Sequence, residues 1–289
     1  MKKLGDRNDA KRVRGLDGLS QILLDLKPRR CDSDVYINQK IDVTNLVKYM
    51  EKRKKDNSDL SYFHAFVTAI GKTYYNRPKL NRFVANRHIF EHNSVVISFV
   101  AKVSFDDSSE EVMVMVDIKS HDTIDTISKQ IKDKIEKIRN KSLKKEGANN
   151  AIDIFGKMPN IIRIPLVGGF KLLDKFGLLP KSLVKDNIYY SSLIVSNLGS
   201  IKCGAIYHNI TNFGTCSGLL TMGEIKDEEV LIDGKKQIRK ICEFGVNLDE
   251  RIADGYYFVK SVKLLEYILE HPETLEEEMN KIINVEEVR

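Results

Sequence analysis

The sequence predicts an α+β domain, a mixed β-sheet with packing helices. Short stretches of period-two alternation recur between residues 35 and 248, and between them apolar residues repeat at three- and four-residue steps. The chain of 289 residues is also long enough to bury one large core or two modest ones.

Composition narrows the class. With 42% hydrophobic and 30% charged residues, the balance is that of a globular protein rather than a disordered one. No apolar run approaches the ~18 residues of a spanning helix. The N-terminus, MKKLGDRNDAKRVRG, is basic and lacks the apolar stretch of a secretory signal. Cys31, Cys203, Cys216 and Cys242 are scattered, with no CxxC and no Cys/His pair at ligand spacing. That pattern predicts no zinc site and no disulfide framework, and suits a reducing cytoplasm. Net charge is +6, from 47 Lys and Arg against 41 Asp and Glu. A chain with no Trp, no RNA-binding motif and no long basic run is a poor nucleic-acid binder; a solvated basic surface is the plainer reading. Residues 1–30 read as a basic arm and 31–289 as a single domain, with no internal repeat.

The elements follow in order. VYINQKID (35–42) alternates as a half-buried strand does, and Asp42 and Thr44 are each placed to cap the helix carrying Leu46, Val47 and Met50. A second helix is predicted over 60–75, where Phe63, Phe66, Val67 and Ile70 recur at helical spacing, and it stops before Pro78. His64 falls on its apolar face and reads as a core histidine. Strands follow at 87–90, 95–105 and 111–118, with DDSSEE as the hairpin turn between the last two. Isoleucines 124, 127, 131, 135 and 138 mark an amphipathic helix over 123–141, with Asp122 as its cap.

Residues 147–187 have another character: apolar, basic and punctuated by Pro159, Pro165, Gly168, Gly169, Gly177 and Pro180. The favoured reading is a pair of short helices folded over the core or lining a substrate channel. The alternative is contact with a membrane surface through 158–184, where Arg163, Lys171, Lys175 and Lys181 accompany large apolar residues. Strands return at 189–196 and 216–224. A hairpin of 230–232 and 236–241 turns at Asp233-Gly234, and a last strand covers 244–248. The final helix, 255–269, is expected to turn Val259, Val262, Leu265, Ile268 and Leu269 inward.

The densest polar constellation is VNLDERIADGYY (246–257). Asp249, Glu250, Arg251 and Asp254 crowd a strand-to-helix corner, and such charges need partners or must face a site. This segment resembles the Asp-His-Arg-x-x-Asp-Gly signature of the catalytic domain of 2-oxo acid dehydrogenase acyltransferases, the superfamily of chloramphenicol acetyltransferase. IDVTNLVKY (41–49), RPKLNRF (77–83), Ser196-Asn197-Leu198-Gly199 and LEYILEHPETL are similar to further family motifs, in the same order. The resemblance covers roughly 30–145 and 188–276. Residues 147–187 then look like an insertion, and no lipoyl domain is recognised.

The resemblance implies a two-layer sandwich and acyl transfer between coenzyme A and a thiol or hydroxyl, in a channel at a trimer interface. Carried over by position, Ser196 matches the oxyanion-stabilising serine, Asp254 the structural aspartate and Arg251 the motif arginine. Glu250 stands where the family has its catalytic histidine. A carboxylate is a weaker base than an imidazole by about two pKa units in water, and it repels a developing oxyanion. His208, in the loop GAIYHNITNFG, is a second candidate base, against the plainer reading of a loop histidine. Cys203 and Cys216 flank that loop with nothing to mark either as activated. Lys202, Lys226, Lys235 and Lys236 are candidates for the coenzyme A phosphates by sign alone. No metal is implied. Partners would be a small acyl acceptor, further copies of the chain in a trimer-based oligomer, and a separate lipoyl carrier. The competing reading is a catalytically silent trimer acting as a binding or scaffolding module, with Glu250 in an ion-pair network with Arg251 or an N-terminal arginine such as Arg14.

Overall fold

The computed structural model describes residues 3, 5–56, 59–102, 111–143, 156–184 and 187–284. The alternating segments become β1 (Ala10–Arg12), β2 (Asp34–Asp42), β3 (Arg82–Ala85), β4 (His88–His92), β5 (Val95–Lys102), β6 (Glu111–Ile118), β7 (Leu193–Asn197), β8 (Gly218–Ile232) and β9 (Lys235–Asp249). The helices are α1 (Gly18–Leu26), α2 (Thr44–Asp56), α3 (Tyr62–Asn76), α4 (Ile124–Leu143), α5 (Asn160–Lys175), α6 (Lys181–Val184) and α7 (Gly255–Glu270).

Six strands make one mixed sheet in the order β2-β9-β8-β7-β5-β6, and β1-β4-β3 form a small second sheet. In the large sheet β7 runs parallel to both neighbours, and every other pair is antiparallel. Because side chains alternate along a strand, its two faces differ. Leu193, Val195, Leu220, Met222, Phe244, Val246 and Leu248 join the core cluster with residues of α2, α3, α4 and α7. Phe66 on α3 meets Phe244 edge-on at 5.4 Å, and Phe63 meets Phe99 at 4.7 Å. Such pairs contribute ~0.5–1.5 kcal/mol each beyond their buried area. The opposite face carries Ser196, Thr221, Gly245 and Asn247.

Local chemistry explains the helix ends. Ser61 and His64 close a capping box at the start of α3, and Asp254 accepts the Tyr257 amide at 2.8 Å to start α7. Asp42 accepts the Thr44 amide, but the Thr44 hydroxyl accepts from Lys240 N at 2.9 Å, so it fastens α2 to β9 rather than capping it. Asp122 accepts from Lys119 N and the Thr126 hydroxyl, closing the turn before α4.

Several expectations are corrected. The strand, hairpin and last strand predicted over 216–248 are two continuous strands, β8 and β9, with a bulge between Met222 and Ile225. No residue of the outer half of this hairpin is fully buried, and its charged run KDEE (226–229) breaks the apolar alternation that identifies a strand. The strand expected at 189–196 begins only at Leu193, after a 3-10 turn over Ile188–Tyr190. On α7 the inward face is Phe258, Ser261, Leu264, Leu265, Ile268 and Leu269, while Val259 is 52% exposed. Of the DDSSEE turn, only Glu111 falls among the described residues, opposite Lys102. The described part of the basic N-terminal stretch folds into the body, with β1 paired to β4 and Arg7, Leu24 and Arg30 buried.

Helix α5, in the described part of the insertion, is not folded over the core. No residue of α5 is buried, although Ile161, Ile162, Ile164 and Leu172 lie on it. Gly177, at φ +64°, turns the chain after it.

His64 is buried on α3, its Nδ1 accepting from Ser61 N and lying 3.0 Å from Ser128 Oγ. Burial lowers its pKa from 6.5 to about 4, Lys132 pushing the same way against Asp59. The unfolded chain therefore takes up a proton that the folded protein refuses, and stability falls as pH drops from 6.5 towards about 4. Thermal melts across that window should show the fall, and His64→Gln should make it shallower. An unchanged slope would remove His64 from the account.

Candidate functional site

β9 ends at Asp249, and the next five residues turn the chain into α7. The Asp249 side chain is wholly buried, and a buried carboxylate persists only with partners. Arg251 supplies two parallel bonds, Nε to Oδ1 at 2.8 Å and Nη2 to Oδ2 at 2.7 Å. Arg30 adds a second buried guanidinium, Nε 3.7 Å from Oδ2. Burial lowers the Arg30 pKa, and the Asp249 charge opposes that shift. Arg30 also donates to the carbonyls of Thr211 at 2.6 Å and Gly214 at 3.0 Å.

A strap of residues 27–33 crosses this corner. Arg251 Nη1 donates to the Lys27 carbonyl at 2.9 Å, and the Glu250 amide donates to the Ser33 carbonyl at 2.9 Å. The Glu250 carboxylate, partly exposed, pairs with the Lys27 ammonium. Its partner is thus neither Arg251 nor Arg14, which pairs with Asp6 at 2.9 Å. Asp254 contacts no arginine among the described residues; its observed bond is the cap on α7.

Ser196 lies elsewhere on the molecule. On β7 it is level with Thr221 of β8, which is level with Gly245 of β9, so all three lie on the face away from the helices. The Ser196 hydroxyl makes no hydrogen bond among the described residues. Residues 203–214 run across this face. The Thr221 hydroxyl bonds the Ile206 amide and carbonyl, and Asn247 Nδ2 donates to the His208 carbonyl at 2.8 Å. Gly245 permits the crossing, because a Cβ there would stand 2.4 Å from the Ile206 carbonyl oxygen. His208 is exposed, its Nδ1 3.0 Å from the Asn209 carbonyl.

The candidate residues therefore fall into two groups. His208 sits over β9, about 10 Å across the sheet and about 7 Å along it from Ser196 on strand spacings. Glu250 is five positions beyond Gly245, or about 17 Å along the strand. Ser196 and Glu250 do not meet within one chain. Nor do the four lysines converge. Lys202 is a left-handed residue closing a 3-10 turn, and Lys226 lies 3.8 Å from Glu224. Lys235 and Lys236 begin β9 at the hairpin tip, Lys236 pairing with Glu229 at 2.7 Å. Cys203 is exposed and Cys216 buried; burial raises the Cys216 thiol pKa, which makes it a poor nucleophile.

Lys27 and Arg30 escaped the sequence reading. Their one local signal is KPRR (27–30), basic residues at the end of a helix. A cavity of about 600 Å³ was equally unforeseen. It is lined by Arg12, Arg14, Arg87 and His88 together with residues of α1. Its walls come from segments separated by some seventy positions, so no single motif announces it.

The model of the family 2-oxoacid dehydrogenases acyltransferase (catalytic domain) matches residues 32–152 and 180–276. The chain belongs to this family. Solved structures of acyltransferases share its fold. A probable dihydrolipoamide acetyltransferase from Listeria monocytogenes is 18% identical, with TM-score 0.60, over 90% of this chain and 95% of that one. The dihydrolipoamide acetyltransferase of Azotobacter vinelandii is 15% identical, with TM-score 0.60, over 92% and 94%. A chloramphenicol acetyltransferase is 11% identical, with TM-score 0.50, over 91% and 98%. No curated protein matches the chain. The two matched stretches of the acyltransferase domain leave out 153–179, the region that contains α5.

Replacing Arg30 by Met should cost about 3–5 kcal/mol, because Asp249 would lose a buried partner and the Thr211 and Gly214 carbonyls their donor. Chemical denaturation measures the loss. Hydrogen exchange should show the 211–214 amides opening first.

Proposed function

We propose that this acyltransferase-family protein moves an acyl group from coenzyme A to a small thiol or hydroxyl acceptor. The observation that carries the proposal is the open sheet face, where the uncommitted Ser196 hydroxyl lies on the same side as the loop bearing His208. In the reaction the acceptor gives its proton to a base and attacks the thioester carbonyl. The Ser196 hydroxyl donates a hydrogen bond to the oxyanion. The carbon–sulfur bond to coenzyme A then breaks, and the departing thiolate takes up the proton. Glu250 or His208 is the base; for Glu250 to serve, Lys27 must swing aside. Arg251 and Asp254 are positioning residues, one fixing Asp249 and the other starting α7.

Because Ser196 and Glu250 are far apart in one chain, the working site joins different copies in a homotrimer or larger trimer-based oligomer. The cubic core of a pyruvate dehydrogenase multienzyme complex, a structure with the same fold, is consistent with such assembly. Because they do not converge in one chain, Lys202, Lys226, Lys235 and Lys236 would meet the coenzyme A phosphates only where different copies bring them together, and a separate lipoyl carrier is one candidate acceptor. No helix among the described residues is long and apolar enough to cross a membrane, which is compatible with a cytoplasmic enzyme.

The Lys27–Glu250 pair favours a second reading, a catalytically silent scaffold in which Glu250 is structural. Calorimetric titration with coenzyme A and acetyl-coenzyme A separates the two. Affinity between about 1 μM and 1 mM, the usual substrate range, supports the transferase. No binding at the upper end supports the scaffold. In an active protein Glu250→Gln should lower the rate by ~100-fold or more if Glu250 is the base. An unchanged rate, with a loss in the His208→Gln variant, would move that role to His208.

A further inference from the structure

The helix α5 has an unusual surface. At about 100° per residue, Ile161, Pro165, Leu172, Ile162, Leu173 and Leu166 sweep roughly half of its circumference. All are exposed, Ile161 by 83% and Leu172 by 59%. Phe176 and Leu178 continue the surface past the turn at Gly177, at 53% and 61%. An apolar patch of this size on a folded protein marks a contact surface.

On the opposite side of the helix Asp174 ties it to the body. Asp174 Oδ2 accepts from the Gly214 amide at 3.2 Å, its Oδ1 is 3.6 Å from Arg7 Nη2, and its carbonyl accepts from Arg7 Nη1 at 2.6 Å. Arg7 in turn lies over the Phe83 ring, 5.2 Å from its centre. The helix's acid is thereby neutralised. The charges that remain are Arg163, Lys171 and Lys175, all cationic; they share the other side of the helix with Ile164, 66% exposed, and Val167, 39%.

This arrangement selects among occupants. A second copy of the chain, basic overall at +6, would have to offer these cations a locally acidic surface. It would also need an apolar groove. Among the described residues the 600 Å³ cavity mixes Arg12, Arg14, Arg87 and Asp25 with Leu16, Leu24 and Ile89, so it is no purely apolar groove, and the apolar cavity of about 40 Å³ is lined by core residues such as Tyr74 and Phe258. A helix of 16 residues is about 24 Å long, short of the ~30 Å needed to span hydrocarbon. A helix whose exposed apolar surface is accompanied only by uncompensated cations suits an anionic lipid surface, which takes both.

We propose that α5 and the turn that follows it dock this protein onto an anionic membrane surface. The docking element is independent of the acyl-transfer chemistry and stands or falls separately.

The test is co-sedimentation of the whole chain with vesicles of phosphatidylglycerol and phosphatidylcholine in equal parts, and with phosphatidylcholine alone. Binding should require phosphatidylglycerol and weaken with salt. The double change Ile161→Glu, Leu172→Glu should lower partitioning at least about tenfold, and Lys171→Glu with Lys175→Glu should lower it at least about fivefold. These side chains are exposed, so the melting temperature should not move. No binding to the anionic vesicles at low salt overturns the proposal, as does binding that neither pair of changes reduces. If Ile161→Glu with Leu172→Glu instead lowers the protein's own mass in sedimentation velocity, the face is a subunit contact and the proposal fails.

Discussion

A carboxylate sealed away from water at the end of β9 organises the corner where the chemistry of this family is expected. Asp249 is held by Arg251 from its own turn and by Arg30 from the N-terminal strap, and each arginine also collects backbone carbonyls. Breaking any one contact leaves a buried charge under-compensated, which costs more than the bond itself. The strap, the 211–214 loop and the start of α7 are therefore positioned together. Glu250 inherits its place from that frame, its amide tied to Ser33 and its side chain to Lys27.

The two faces of the large sheet divide the labour. One is buried under four helices and provides cohesion. The other keeps polar and small residues, and a loop lies flat upon it because Gly245 leaves room. A serine on that open face and a charged corner at its end do not meet in one chain. A reaction that uses both needs a surface from elsewhere to close over the face. Oligomerisation and catalysis would then be one structural event.

Elements with strong local patterns were legible in the sequence: β2, α3, β6 and α4 lie within two residues of their predicted bounds, and α2 carries the expected Leu46, Val47 and Met50. The outer half of the β8–β9 hairpin was not, since the charged run 226–229 interrupts the apolar alternation that reveals a strand. Val259 was misassigned because β-branched residues at helical spacing look alike whichever way the helix is rolled; Phe258 occupies the core instead. For the site, the crowding of Asp249, Glu250 and Arg251 was visible, but their partners were not. Lys27 and Arg30 are more than two hundred positions away, and no local rule links a lysine before Pro28 to a carboxylate near the far end of the chain.

That separation has a consequence for how the molecule forms. The bond from Arg251 to the Lys27 carbonyl closes a loop of 224 positions, and contacts of such high sequence separation form late. While the chain is being made, Arg30 emerges well before Asp249 and waits for its partner. The corner is thus a late clasp that closes together with the β2–β9 edge of the sheet: Glu250 and the 211–214 loop take up their places only when the strap has met the end of β9.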